Sequence, residues 1–332
     1  MELVNVWFIL IAILWTGYFI LEGFDFGVGV LLPVLGRDDT RRRVLINTIG
    51  PVWDGNEVWV IVAGGATFAA FPEWYATLFS GFYIPLLLIL IALIIRGVAF
   101  EYRGKRPEAS WKRRWDACII AGSLVPAFLW GVAFANITKG VPIDAAGEYV
   151  GGLWNLLNPY ALLGGLTTLA LFTLHGAVFI GLKTAGDVRA DARKFALRFG
   201  LVATVLAAAF LVWTGLLHKS GPSIAISIVA ALALIGGLLA TKVGRDGWAF
   251  AGTAAAIGLA VIALFVALFP DVMPSSLDPA YSLNVDNASS TPYTLKIMTI
   301  VAAVFTPLVL LYQGWTYWVF RKRISTASIP KG

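Results

Sequence analysis

Long apolar runs recur along this chain, and no other feature limits its possible folds so sharply. A hydrocarbon core of about 30 Å is crossed by about 20 residues of helix. Nine stretches are long enough, near 4–34, 50–71, 76–99, 117–137, 159–182, 196–217, 223–241, 248–269 and 294–320. Of the 332 residues, 59% are hydrophobic and 13% charged, with a mean hydropathy of +0.81. A soluble domain of this length could not enclose so much apolar surface in one core. The expected fold is an all-α polytopic membrane protein, a single integral domain over 1–332 with nine transmembrane helices. The first stretch reads as a span and not as a cleaved signal peptide. It lacks a basic leading region, its apolar run is too long, and no small-residue cleavage site follows.

Basic residues orient the chain. With the N-terminus outside, the segments 35–49, 100–116, 183–195, 242–247 and 321–332 face the cytoplasm and carry 20 of the 25 Lys and Arg residues. The opposite loops hold only Lys139 and Lys219. This asymmetry follows the positive-inside rule, so the expected topology is N-out with a cytoplasmic C-terminus. The charge is spread over short loops with no separate domain, which argues against a nucleic-acid partner. The loop 270–293 reads as an ordered cap because Tyr281, Leu283 and Val285 alternate with polar residues.

Four carboxylates interrupt the first two spans: Glu22 and Asp25 in LEGFDFGVGV, Asp54 and Glu57 in GPVWDGNEVWV. A charge at bilayer depth costs about 2.5 kcal/mol or more, so such groups face a polar interior or a pathway for ions or protons. Each pair is spaced i, i+3 and projects from one helix face. Both lie in the cytoplasmic half, with Asp54 and Glu57 expected one to two turns inside, and Asn47 and Asn56 add neutral hydrogen-bonding groups nearby. Desolvated carboxyls that exchange protons near working pH suit a proton pathway through Asp25, Asp54, Glu57 and Glu22. The competing reading pairs the shallower acids with the rim arginines Arg41–Arg43. Gly23 and Gly27 form a small-residue face for close helix approach, which favours a buried Asp25. Gly64, Gly65, Gly164 and Gly165 read as packing residues, and Pro51 suits a first helical turn. Arg96 either snorkels to the interface or serves as a buried cation, with Asp116 as its possible partner across the 100–116 loop.

The ligand inventory is thin. A haem takes His, Met, Cys or Tyr as axial ligand. Here the histidines are His175 and His218, the cysteine is Cys118, and no haem-attachment motif, metal cluster, Walker loop or dinucleotide turn occurs. The chain could at best ligate one haem, through His175, and a lone histidine on an apolar helix is more commonly structural; no catalytic or metal-binding residue is expected.

The strings EGFDFGVGVLLP (22–33), RRRVLINTIGPVWDGNEVW (41–59), GGATFAAFPEWYA (64–76), SGFYIPL (80–86), RGVAFEYRGK (96–105), GSLVPAFLWGVAFAN (122–136), FPDVMPSS (269–276) and NASSTPYTLKIMT (287–299) carry a specific likeness. In order and content the chain resembles subunit II of cytochrome bd-type quinol oxidases. The resemblance implies two four-helix bundles plus a peripheral helix. It implies a complex that oxidises membrane quinol, reduces O₂ to water and generates proton motive force. It further implies haems b and d held by a partner, the haem-bearing subunit I, with small accessory subunits and membrane lipid as further neighbours. Asp25 and Asp54 match acids associated with a cytoplasmic proton route. Trp53, Arg96 and Asp116 match positions that bear on assembly and on the haem environment. Relatives can carry Asp in place of Glu22 and a neutral amide in place of Glu57, so those two acids are supporting members. Two other readings stay open from the residues alone: a purely structural subunit, and a proton-coupled secondary transporter. Against the latter, no Gly/Pro-broken helices recur at matched places in two halves.

Overall fold

The computed structural model describes residues 2–329. Lys331 of the basic tail and the outermost residues of the expected single domain lie outside the described residues. The chain forms α1 (Leu3–Leu35), α2 (Asp39–Ile49), α3 (Trp53–Ala70), α4 (Pro72–Gly81), α5 (Tyr83–Tyr102), α6 (Ala109–Lys139), α7 (Pro159–Lys183), α8 (Gly186–His218), α9 (Gly221–Lys242), α10 (Asp246–Leu268) and α11 (Pro292–Val319). Among the described residues, eight helices are long and apolar enough to cross a membrane: α1, α5 and α6 to α11. The second expected stretch forms α3, whose 18 residues span about 27 Å. Asp54, Asn56 and Glu57 in its first turns take it out of the apolar class. The third expected stretch is divided at Phe82 between α4 and α5. The protein is a multi-pass membrane protein with an all-helical body.

Helices that are apolar all round cannot sort their faces by hydrophobicity in lipid, so small residues decide where backbones meet. At the crossing of α1 and α7, a Cβ on Gly27 would lie 2.8 Å from Gly176 Cα and strike the Phe172 carbonyl oxygen. Gly23 lies beside the Phe172 ring, so the Gly23–Gly27 face does pack on α7. Gly164 and Gly165 likewise abut α6. Gly64 and Gly65 do not behave as expected: each has open space where a side chain would be. A Cβ at either position would meet nothing within 4 Å among the described residues.

α1 is central and touches α3, α6, α7 and α10. Its aromatic seam of Trp15, Tyr18 and Phe19 meets Trp130 and Phe134 of α6, largely edge-to-face, with centroids 4.9–6.5 Å apart. α2 lies at the basic end of the bundle, capped where the Asp38 side chain accepts from Arg41 N at 2.8 Å. Its apolar face, Val44, Leu45 and Ile49, is fully buried. At the opposite end, segment 270–293 is indeed an ordered cap. β1 (Asp271–Met273) pairs antiparallel with β2 (Leu283–Asn284), and Leu283 and Val285 are buried, while Tyr281 stays exposed. α11 is peripheral, with Leu295 its one buried residue, and it rests on α1 and α3.

Candidate functional site

The site begins with one turn of α1. Glu22 and Asp25 are both fully buried, and each reaches a different partner. Glu22 Oε1 accepts a bond from Arg96 Nη2, and the same nitrogen bonds Glu57 Oε2 at 3.3 Å. Arg96 is therefore a buried cation shared by acids from α1 and α3, and it does not snorkel. Its guanidinium lies 4.5 Å from the Phe26 ring centroid and 5.9 Å from that of Phe100. Trp53 backs this wall, 5.0 Å from Phe100. Gly122 of α6 makes room for the arginine, since a Cβ there would come within 2.7 Å of Arg96 Cβ. A buried ion pair of this kind is costly to desolvate and costlier to break, about 3–5 kcal/mol when one partner is removed.

Asp25 belongs to a second network. Asn56 Nδ2 donates to Asp25 Oδ2 at 2.7 Å. Asn56 Oδ1 accepts from Tyr317 Oη at 2.7 Å and from Gln313 Nε2 at 3.2 Å. Gln313 Oε1 in turn accepts from Trp59 Nε1 at 2.9 Å. This chain of bonds ties α11 to α3 and α1. Four buried polar atoms of the site have no hydrogen-bond partner among the described residues: Glu22 Oε2, Asp25 Oδ1, and Arg96 Nε and Nη1.

The second acidic pair is split. Asp54 lies in the first turn of α3, since the helix starts at Trp53 and not at Gly50. It is exposed, and it makes no hydrogen bond or ion pair among the described residues. Glu57, one turn on, is partly buried against Arg96. Pro51 sits in the turn before the helix, and Asn47 is exposed on α2 and joins neither network. Two of the rim arginines bind elsewhere: Arg41 pairs with Asp191 at 2.8 Å and Arg42 with Asp116 at 2.9 Å.

Asp116 is not the partner of Arg96. It accepts from Arg103 Nε at 2.5 Å as well as from Arg42, closing a lattice across the basic end. Arg103 and Lys112 also bond Asp39, at 2.8 and 2.9 Å. Desolvation opposes ionisation of Asp39, yet these two cations hold its carboxyl below the usual range. Asp116 of α6 therefore ties α2 to the turn that follows α5. A similar knot surrounds Asp246, which binds Arg189, Arg193 and Arg323 at 2.7–3.0 Å. Arg323 belongs to the segment after α11, which folds back so that Ile324 N donates to Lys183 O at 2.9 Å.

The donor set does not fit a haem. His175 is fully buried, bonded through Nδ1 to Thr253 at 2.7 Å, with its ring stacked 4.7 Å from Phe250. His218 bonds the Thr138 carbonyl at 2.8 Å. Among the described residues no group of His, Cys, Asp and Glu could hold a metal ion. Trp59, Gln313 and Tyr317 escaped the sequence reasoning. One signal was present: Gln313 is an amide inside an otherwise apolar run.

Residues 3–320 match the family described as cytochrome bd terminal oxidase subunit II. Cytochrome bd ubiquinol oxidase subunit 2 of Bacillus subtilis (strain 168) is 46% identical over 328 residues, covering 97% of this chain and 96% of the relative. Cytochrome bd-I ubiquinol oxidase subunit 2 of Escherichia coli (strain K12) is 36% identical over 367 residues, 98% and 96% of the two chains. In fold, the chain is similar to a chain of the bd oxidase from Geobacillus thermodenitrificans, with a TM-score of 0.79 at 17% identity, covering 97% and 98% of the two chains.

Proposed function

As the chain belongs to the cytochrome bd terminal oxidase subunit II family, we propose that it is the proton-supplying half of a membrane complex whose redox centres lie in subunit I. In this reading the complex oxidises quinol and reduces O₂ to water, and the haems b and d are held by the partner. The nine-span, N-out topology belongs to the same proposal, with α3 as the ninth span. In this reading α1, α3, α5 and α6 form one group of four and α7 to α10 the other, with α11 at the edge, although α7 also packs closely on α1 and α6.

The observation that carries the proposal is the set of acids at the basic end: Asp54 and Glu57 on one turn of α3, Glu22 and Asp25 on one turn of α1, with the single cation Arg96 between the helices. A proton taken up at the exposed Asp54 passes to Glu57, one turn deeper on the same helix face. Arg96 spans the gap from Glu57 to Glu22 and supplies the countercharge that lets acids lie there. Glu22 Oε2 and Asp25 Oδ1, the carboxylate oxygens without partners, are the atoms at which a proton is carried further. Trp53 and Phe100 wall the arginine off on the α3 side. Protons and electrons that meet at one site from opposite sides of a membrane generate proton motive force without a separate pump.

A purely structural role has one observation in its favour: Arg96 bonds one oxygen of Glu22 and one of Glu57 within the chain. Asp54→Asn separates the two. Asp54 has no bonds to lose, so the variant is expected to assemble with all haems and bind quinol normally, while oxygen reduction slows about 100-fold, the usual worth of a positioned proton donor. Wild-type turnover would leave only the structural reading.

A further inference from the structure

The hydrogen bonds that end on Asp25 have a direction, and it is imposed from the far end. The indole N–H of Trp59 can only donate, whereas a side-chain amide offers one accepting oxygen and one donating nitrogen. Trp59 therefore turns Gln313 so that Oε1 faces the indole and Nε2 faces Asn56. Asn56 must then present Oδ1 to Gln313, which leaves Nδ2 aimed at Asp25. The Tyr317 hydroxyl adds a second donor to the same Oδ1. If Asn56 were turned over, its nitrogen would face the donating Gln313 and its oxygen would face the carboxylate, two contacts of like polarity. The amide is fully buried, so water cannot compensate for either.

We propose that Trp59 and Gln313, backed by Tyr317, are positioning residues that lock the Asn56 amide with its N–H₂ towards Asp25, so that the peripheral helix α11 sets the polarity of the environment in which Asp25 takes up and releases its proton. The significance for turnover rests on the proton-path reading; the polarity of the bond chain does not. α11 is otherwise lightly held. Apart from this network, its main polar tie is Trp7, whose indole bonds Leu295 O at 3.2 Å and Thr299 Oγ1 at 3.1 Å near the other end of the helix.

The test is a double-mutant cycle in the complete oxidase complex. Gln313→Glu keeps the shape and still accepts from Trp59, but as a carboxylate it has no hydrogen to give Asn56. The Asn56 amide then turns its nitrogen towards α11 and its carbonyl towards Asp25. Turnover and the half-life of the haem absorbance on heating should each fall about tenfold, with the KM for quinol unchanged. In an Asp25→Asn background the amide at 25 can meet either face of Asn56. There the added Gln313→Glu should leave the half-life where Asp25→Asn alone puts it. An equal loss of half-life in both backgrounds would mean a packing or charge-burial effect and would overturn the proposal. Trp59→Phe removes the polarising donor without adding charge and is run through the same cycle, so a Gln313→Glu complex that fails to assemble does not end the test. If Asp25→Asn alone turns over at the wild-type rate, the proton-path reading fails, while the half-life cycle still decides whether the bond chain is polarised.

Discussion

Replacing Arg96 with methionine probes the energetic centre of the cluster. Methionine matches much of the arginine stem and packs well against the Phe26 ring, so little volume is lost. What disappears is the charge: Glu22, fully buried, loses its only hydrogen-bond partner among the described residues, and Glu57 loses its ion-pair partner. Breaking a buried pair from one side costs about 3–5 kcal/mol. The lost stacking on Phe26 adds about 1 kcal/mol. With 1.36 kcal/mol per factor of ten, even the lower bound corresponds to about 150-fold. A multi-subunit membrane complex unfolds irreversibly, so the measurable quantity is a half-life. The assay follows haem absorbance of the detergent-solubilised complex at one fixed temperature. If the cluster is broken in the rate-limiting step, Arg96→Met shortens the half-life by about 150-fold or more. Adding Glu22→Gln should restore most of it, because the stranded carboxylate becomes a neutral amide of the same shape. The argument is refuted if Arg96→Met matches the wild type, or if the double variant is no more durable than the single one.

Two further outcomes follow from the packing and from the basic end. Gly27→Leu drives a side chain into the Phe172 carbonyl and Gly176, so α1 and α7 must part, and overpacking of this kind costs about 1–3 kcal/mol or more. The yield of assembled complex should drop sharply, and a normal yield would show that the crossing is looser than described. The carboxyl of Asp39 lies below its usual value because of Lys112 and Arg103, so its stabilisation is complete above the unfolded value of about 3.9 and is lost as pH falls through the lower folded value. The hydrogen-exchange protection factor at α2, corrected for the intrinsic pH dependence of amide exchange, should therefore be flat between about pH 5 and 8 and fall in stronger acid. An Asp39→Asn variant should lack this acid step; if it keeps the step, another group is responsible.

The comparison of sequence and structure divides along physical lines. Spans were legible because each is a local property: a run of apolar residues must become a helix in lipid whatever its neighbours do. Basic loops were legible for the same reason. The acids were legible as anomalies, since a carboxylate in such a run needs an explanation. Their partners were not. Arg96 and Asp116 are 20 residues apart across one loop, which made them look like a pair, yet the helical geometry turns Arg96 towards Glu22 of α1 and Asp116 towards Arg103 and Arg42. Asp54 and Glu57 looked equivalent, but the start of α3 at Trp53 leaves one exposed and draws the other to the arginine. α2 was passed over because an 11-residue amphipathic helix reads as a charged loop when spans are being sought.

From the sequence alone came the membrane class, the ordering of the helices, the presence of costly acids in the first two spans and the likeness to a family. All of these are carried by residues within reach of one another along the chain. The tertiary structure decided which acid meets which base, that Gln313 and Tyr317 reach back about 260 positions to Asn56, and that Asp25 receives an N–H donor. Those facts depend on which faces of α1, α3, α5 and α11 meet. In lipid that choice falls to glycine placement and to the pairing of a few polar groups, which hydropathy does not record.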